Sequence, residues 1–218
     1  KTNTGHIPNR TSFGPAILWL PFFLTGHIIA LIIDFIFKSS VANGYSMYYV
    51  FPVTLGTTIY GFLGLLLTYR LVNLFVSPKR SLVSILLIWF ASPLIYYMYL
   101  VPSMAHVLSF FTITLFIYCW NQWRKKFNLP RIIILGILGG FISLVRWQNI
   151  LFLILPLGDI LFSDSKQQLK HLLVLCLCFI FGFLPQMLVW KIVYGSIFLI
   201  PMGNETMNWF HPQIVSVL

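Results

Sequence analysis

The chain has 218 residues, of which 59% are hydrophobic and only 8% charged, with 21 Phe, 10 Tyr and 7 Trp. A water-soluble domain of this length does not need that balance, so the composition predicts a polytopic membrane protein and excludes an ordinary soluble enzyme. The formal charge of +10 would suit a nucleic-acid partner in a soluble chain. Here the basic residues fall in short loops between apolar runs, which is the pattern that orients a membrane protein, and nucleic acid is excluded as a partner.

Apolar segments run at about 14–37, 50–76, 82–100, 104–120, 132–162 and 172–194, each bounded by polar, basic or Pro-containing turns. The first is long enough to span but carries Pro15, Pro21, His27 and Asp34. It reads either as a span, with residues 1–12 cytoplasmic, or as a juxtamembrane or re-entrant element. Loops at 77–81, 121–131 and 163–171 hold Lys79, Arg80, Arg124, Lys125, Lys126, Arg131, Lys166 and Lys170. The excess of Lys and Arg on cytoplasmic loops puts all three on the inner side. Segments 82–100 and 104–120 then form a hairpin that leaves the cytoplasm and returns.

The run 132–162 is too long for one crossing. Its 31 residues would make a helix of roughly 46 Å, against a hydrocarbon core of about 30 Å. Both of its flanking loops are predicted inside, so it must leave and come back. The spacing predicts two short helices folded together, with Arg146, Trp147, Gln148 and Asn149 at the bend. An arginine at bilayer depth costs about 2.5–3.5 kcal/mol on insertion scales and is expected to face a wet cavity or a polar partner. The competing reading is an arginine that snorkels outward or pairs with a carbonyl.

The expected fold is therefore all-α, an integral membrane bundle of about six to seven helices in a single transmembrane domain covering 1–218. The chain begins at Lys1 without Met or signal peptide, and it is expected to be part of a longer protein. Gly136 and Gly140 form a GxxxG spacing that predicts close helix packing. Cys119, Cys176 and Cys178 lie in apolar runs without a CxxC pair, so neither disulfide nor zinc is expected, and no cofactor is indicated. No Walker loop, GxSxG, HExxH or GxGxxG occurs. The Asn9-Arg10-Thr11 and Asn204-Glu205-Thr206 acceptor patterns read as chance matches.

Four short outer-side stretches follow one another: Phe13 to Phe23 (FGPAILWLPFF), Asn43-Gly44-Tyr45-Ser46, Pro102-Ser103-Met104-Ala105-His106 and Leu144-Val145-Arg146-Trp147-Gln148. Together they resemble bacterial membrane glycosyltransferases of the GT-C class, related to protein mannosyltransferases and aminoarabinose transferases, over roughly residues 12 to 213. The resemblance implies a multi-pass enzyme of the bacterial plasma membrane. Such an enzyme takes a sugar from a polyprenyl-phosphate carrier and transfers it at the outer face to a lipid, glycan or protein acceptor. Membrane lipids complete the expected partners.

Arg146 is the candidate for the donor phosphate, because a guanidinium offers a planar, permanently charged fork of donors. His106 is a candidate hydrogen-bonding group for phosphate or sugar, and Trp147, Trp209 and Tyr45 are candidate stacking surfaces, with Gln148 beside the first. Aromatic residues also crowd membrane interfaces for reasons unrelated to ligands. Glu205 and His211 in the tail complete the candidate substrate-binding set. No catalytic residue is assigned. Carboxylates are few, namely Asp34, Asp159, Asp164 and Glu205, whereas transfer with inversion calls for a general base. The resemblance implies that the catalytic acid lies in a first outer loop preceding Lys1. Two departures stand out, since Val101 precedes Pro102-Ser103 where relatives often carry an acidic residue, and Asn43 stands where Asp-Gly-Tyr is common. A non-enzymatic polytopic protein, such as a transporter or lipid flippase, is the alternative.

Overall fold

A computed structural model describes residues 1–9, 11–163 and 167–199. Among these the secondary structure is entirely helical: α1 Gly14–Phe37, α2 Met47–Val72, α3 Pro78–Phe90, α4 Leu94–Tyr99, α5 His106–Trp123, α6 Leu129–Val145, a 3-10 arm Trp147–Leu153, α7 Ile154–Leu161 and α8 Gln168–Tyr194. The chain forms two compact units, one of residues 12–186 and one of residues 1–11 with 187–218. In the smaller unit the Thr4 hydroxyl donates to the Val193 carbonyl, and the Tyr194 hydroxyl donates to the Asn9 carbonyl at 2.8 Å.

Helices α1, α2 and α8 are long and apolar enough to cross a membrane, which makes this an integral membrane protein. The segment predicted at 82–100 is not one helix. It breaks at Ser92-Pro93 into α3 and α4, because Pro93 has no amide hydrogen to continue the ladder and the Ser92 hydroxyl caps the Leu94 amide at 3.2 Å. Among the described residues the six predicted apolar segments thus yield three helices of crossing length and several shorter ones.

The fold-back of 132–162 is present. Asn128 caps α6 by accepting from the Arg131 amide at 3.2 Å, and the helix ends where Arg146 turns extended at φ −149° and ψ 125°. The 3-10 arm and α7 then run back down α6. Leu153 and Ile160 join Phe116, Ile132, Leu135, Ile142 and Leu175 in one core cluster. Gly136 and Gly140 let α8 approach at backbone distance, since a Cβ on Gly140 would lie 2.3 Å from the Phe179 carbonyl oxygen. The GxxxG spacing is a packing device, joined from the other side by Gly182, whose Cβ would meet the Ile137 carbonyl at 2.4 Å.

The ends of the larger unit differ in chemistry. Leu74 and Phe75 after α2, Asn121, Gln122, Arg124 and Lys125 at the end of α5, and Asp159 on α7 line one cavity, so the turn after α2 and the basic end of α5 meet at one end. Helix α1 begins at the opposite end. A Cβ on Gly14 would sit 2.5 Å from the Val145 amide, and the Phe13 amide donates to Gln186 Oε1 at 2.8 Å. From there α1 runs along α2 toward the start of that helix, with Leu18 beside Tyr60 and Gly26 against Tyr48. Helix α1 thus leads away from the basic end, and its length and composition suit a membrane span. Asp34 ties down the following loop by accepting from the Val41 and Ala42 amides at 2.6 and 2.8 Å.

Candidate functional site

At the end away from the basic loops, three chain breaks meet. The turn at 101–105 delivers His106 as the first residue of α5, the end of α4 supplies Tyr97, and the break after α6 supplies Arg146. Arg146 Nη1 donates to His106 Nδ1 at 2.8 Å. Arginine has no acceptor, so His106 Nδ1 must carry the lone pair, and its ring is the neutral tautomer with its hydrogen on Nε2. The ring is held by stacking on Tyr97, with centroids 4.1 Å apart and planes at 23°.

Beneath this pair lies a buried amide network. Asn149 Nδ2 donates to Ser109 Oγ at 3.0 Å and to the Ile142 carbonyl at 2.9 Å, and the Ser109 hydroxyl lies 3.2 Å from Asn149 Oδ1. The Ile142 carbonyl also takes the Arg146 amide at 3.1 Å. One side chain therefore satisfies the frayed end of α6 and joins the 3-10 arm to α5, which fixes the backbone that carries Arg146. Two further hooks close this end: Trp19 Nε1 donates to Thr57 Oγ1 at 2.8 Å, and the Thr57 hydroxyl donates to the Pro102 carbonyl at 3.0 Å.

Among the described residues, no carboxylate lies within ion-pair range of Arg146. The ion pair at the basic end, Arg124 with Asp159 at 3.3 Å, belongs to another site. Arg146 is half-buried, and its recorded side-chain partner is a neutral ring. Among the described residues its charge therefore has no counter-ion. One turn further on, an almost entirely apolar cavity of about 540 Å³ opens along the 3-10 arm and α8, lined by Ile150, Leu151, Ile154, Leu157, Cys176 and Phe179 among others.

Of the predicted site residues, the structure brings Arg146 and His106 together. Trp147 is 48% exposed and Gln148 is exposed beside them at the start of the 3-10 arm. Tyr45 stands apart, 89% exposed in the loop between α1 and α2. Helix α2 climbs about 15 Å, at ~1.5 Å per residue, from Met47 before Thr57 reaches Pro102. Glu205, Trp209 and His211 lie outside the described residues. Sequence reasoning missed Tyr97, Ser109 and the role of Asn149. The signal available was a polar trio, Ser109, Thr112 and Thr114, within an apolar helix. The chain matches no family model, no curated protein and no solved structure.

Proposed function

We propose that this protein is a membrane glycosyltransferase of the GT-C kind, which moves a sugar from a polyprenyl-phosphate carrier to a lipid, glycan or protein acceptor. The observation that carries the reading is Arg146, a half-buried guanidinium without a carboxylate partner among the described residues, oriented by neutral His106 at a helix break. A phosphate supplies the missing anion, and the guanidinium's remaining N–H groups suit its oxygens. The apolar cavity one turn away accommodates the carrier's hydrocarbon chain. On this reading an acceptor hydroxyl oxygen bonds to the anomeric carbon as the bond from that carbon to the phosphate oxygen breaks. Arg146 holds the leaving phosphate, and the hydroxyl proton passes to a general base to which no residue is assigned. Trp147 and Gln148 flank the sugar.

The membrane arrangement that goes with it counts α2, the interrupted passage of α3 and α4, α5, α6, the return arm 147–161 and α8 as six passages. Helix α1 is the seventh element, on the side of Arg146. The basic loops then face the cytoplasm of a bacterial plasma membrane.

A second reading, a non-enzymatic transporter or flippase of lipid phosphates, draws on one observation. Both described carboxylates are engaged away from Arg146, Asp34 in its loop and Asp159 with Trp120 and Arg124. The test is binding of radiolabelled polyprenyl phosphate to the full-length protein, with and without Arg146→Ala. Affinity is expected to fall at least roughly ten- to hundred-fold, since Ala removes no less than one charge-assisted contact. Equal binding by both proteins would refute it.

A further inference from the structure

The basic end carries a second site. A cavity of about 680 Å³ lies between the turn after α2 and the end of α5, with Asp159 of α7 in its wall. Its cations are Arg124 and Lys125, its carboxylate is Asp159, and Asn121 and Gln122 add amide groups. Two positive charges against one negative leave a net charge of +1.

Arg124 is built in rather than free to wander. Its Nη2 lies 3.3 Å from Asp159 Oδ1, and its guanidinium carbon sits 4.6 Å over the Trp120 ring. Trp120 Nε1 in turn donates to Asp159 Oδ2 at 2.8 Å, which fixes the carboxylate. The ion pair occupies one edge of the guanidinium, and the other donors remain for a ligand. Lys125 is exposed and has no hydrogen bond or ion pair among the described residues. At the mouth stand Leu74 and Phe75, 55% and 75% exposed at the end of a membrane-length helix. Cations beside exposed apolar side chains at a helix end match a ligand with a phosphate and a hydrocarbon body, and basic pockets between membrane helices take such head groups.

We propose that this cavity binds the phosphate of an anionic phospholipid in the leaflet that meets the basic loops, with Lys125 and Arg124 on the phosphate and Leu74 and Phe75 against the glycerol and acyl portion. The site is separated from Arg146 by the length of α6, about 25 Å at ~1.5 Å per residue over 17 residues. It therefore stands or falls independently of the glycosyltransferase reading.

The test is thermal unfolding of the full-length protein in dodecyl maltoside with added phosphatidylglycerol, phosphatidylcholine or inorganic phosphate. Phosphatidylglycerol is expected to raise the midpoint in a saturable way, with little effect from the other two. Lys125→Gln should weaken the apparent affinity roughly fivefold, Lys125→Arg should retain it, and Lys126→Gln, one residue outside the cavity lining, should leave it unchanged. Equal loss in the two Gln variants would mean diffuse surface attraction and overturn the site. Stabilisation by inorganic phosphate as strong as by phosphatidylglycerol would overturn the lipid assignment, and so would equal stabilisation by both lipids.

Discussion

Asn149 and Ser109 should be energetically coupled, because each is buried and each is the other's partner. In Asn149→Leu the side chain keeps a similar volume but loses its bonds to Ser109 Oγ and the Ile142 carbonyl. Hydrogen bonds between membrane helices average about 0.6 kcal/mol, whereas in soluble proteins they cluster near 1 kcal/mol. Two lost bonds therefore predict roughly 1–2 kcal/mol of destabilisation, most of it from the Ser109 hydroxyl left unpaired at 5% exposure. Removing that hydroxyl as well should recover part of the loss, since replacing both partners by apolar groups is far cheaper than orphaning one. In a double-mutant cycle read by equilibrium unfolding in detergent, Ser109→Ala with Asn149→Leu should be less destabilised than the sum of the singles by about 0.5–1 kcal/mol. Strict additivity would mean that the two side chains do not interact, and that the 3-10 arm is held against α5 by packing alone.

Gly140→Ala should destabilise by about 1–3 kcal/mol, because its Cβ meets the α8 backbone at 2.3 Å and neither helix can yield by a side-chain rotation. Gly158→Ala is the matched control. It has open space around it and should be neutral or slightly stabilising in the same thermal assay. His106→Asn retains an acceptor near the Nδ1 position and should keep more donor binding than His106→Phe, which keeps the stack on Tyr97 but offers Arg146 nothing. Equal loss in both would show that the imidazole acts by packing alone. In a background lacking Cys119, Cys176 and Cys178, Tyr45→Cys and Lys125→Cys should react with an impermeant thiol reagent from opposite sides of sealed vesicles. Labelling of both from one side would break the assigned arrangement.

The break at Arg146 was legible from length and loop charge together: 31 residues are too many for one crossing, and the basic loops at both ends call for a return. The tight α6 and α8 packing was legible from Gly136 and Gly140 for an equally direct reason, since a missing Cβ shows in the sequence. The turn at Ser92-Pro93 was hidden inside an apolar run, where hydropathy registers no interruption. The direction of α1 was hidden as well, because an apolar helix carries no mark of which end docks, and it is decided by distant contacts such as Gly14 with Val145 and Gly26 with Tyr48. The pairing of Arg146 with His106 and of Asn149 with Ser109 each joins positions 40 apart in sequence. No local pattern announces such a contact. The first pair was expected on one outer side through topology, and the second was not expected at all.

In the proposed function Arg146 holds a lipid-linked phosphate. Transfer from a polyprenyl-phosphate sugar, measured with the complete protein and normalised to folded material, tests this directly. Arg146→Lys should insert and fold yet lose roughly ten- to hundred-fold in turnover, because a point charge replaces a planar fork at the cost of about one charge-assisted hydrogen bond. Arg146→Ala should lose nearly all turnover. Wild-type turnover per folded molecule in Arg146→Ala, with only the yield of protein reduced, would contradict the account and leave this arginine a structural residue.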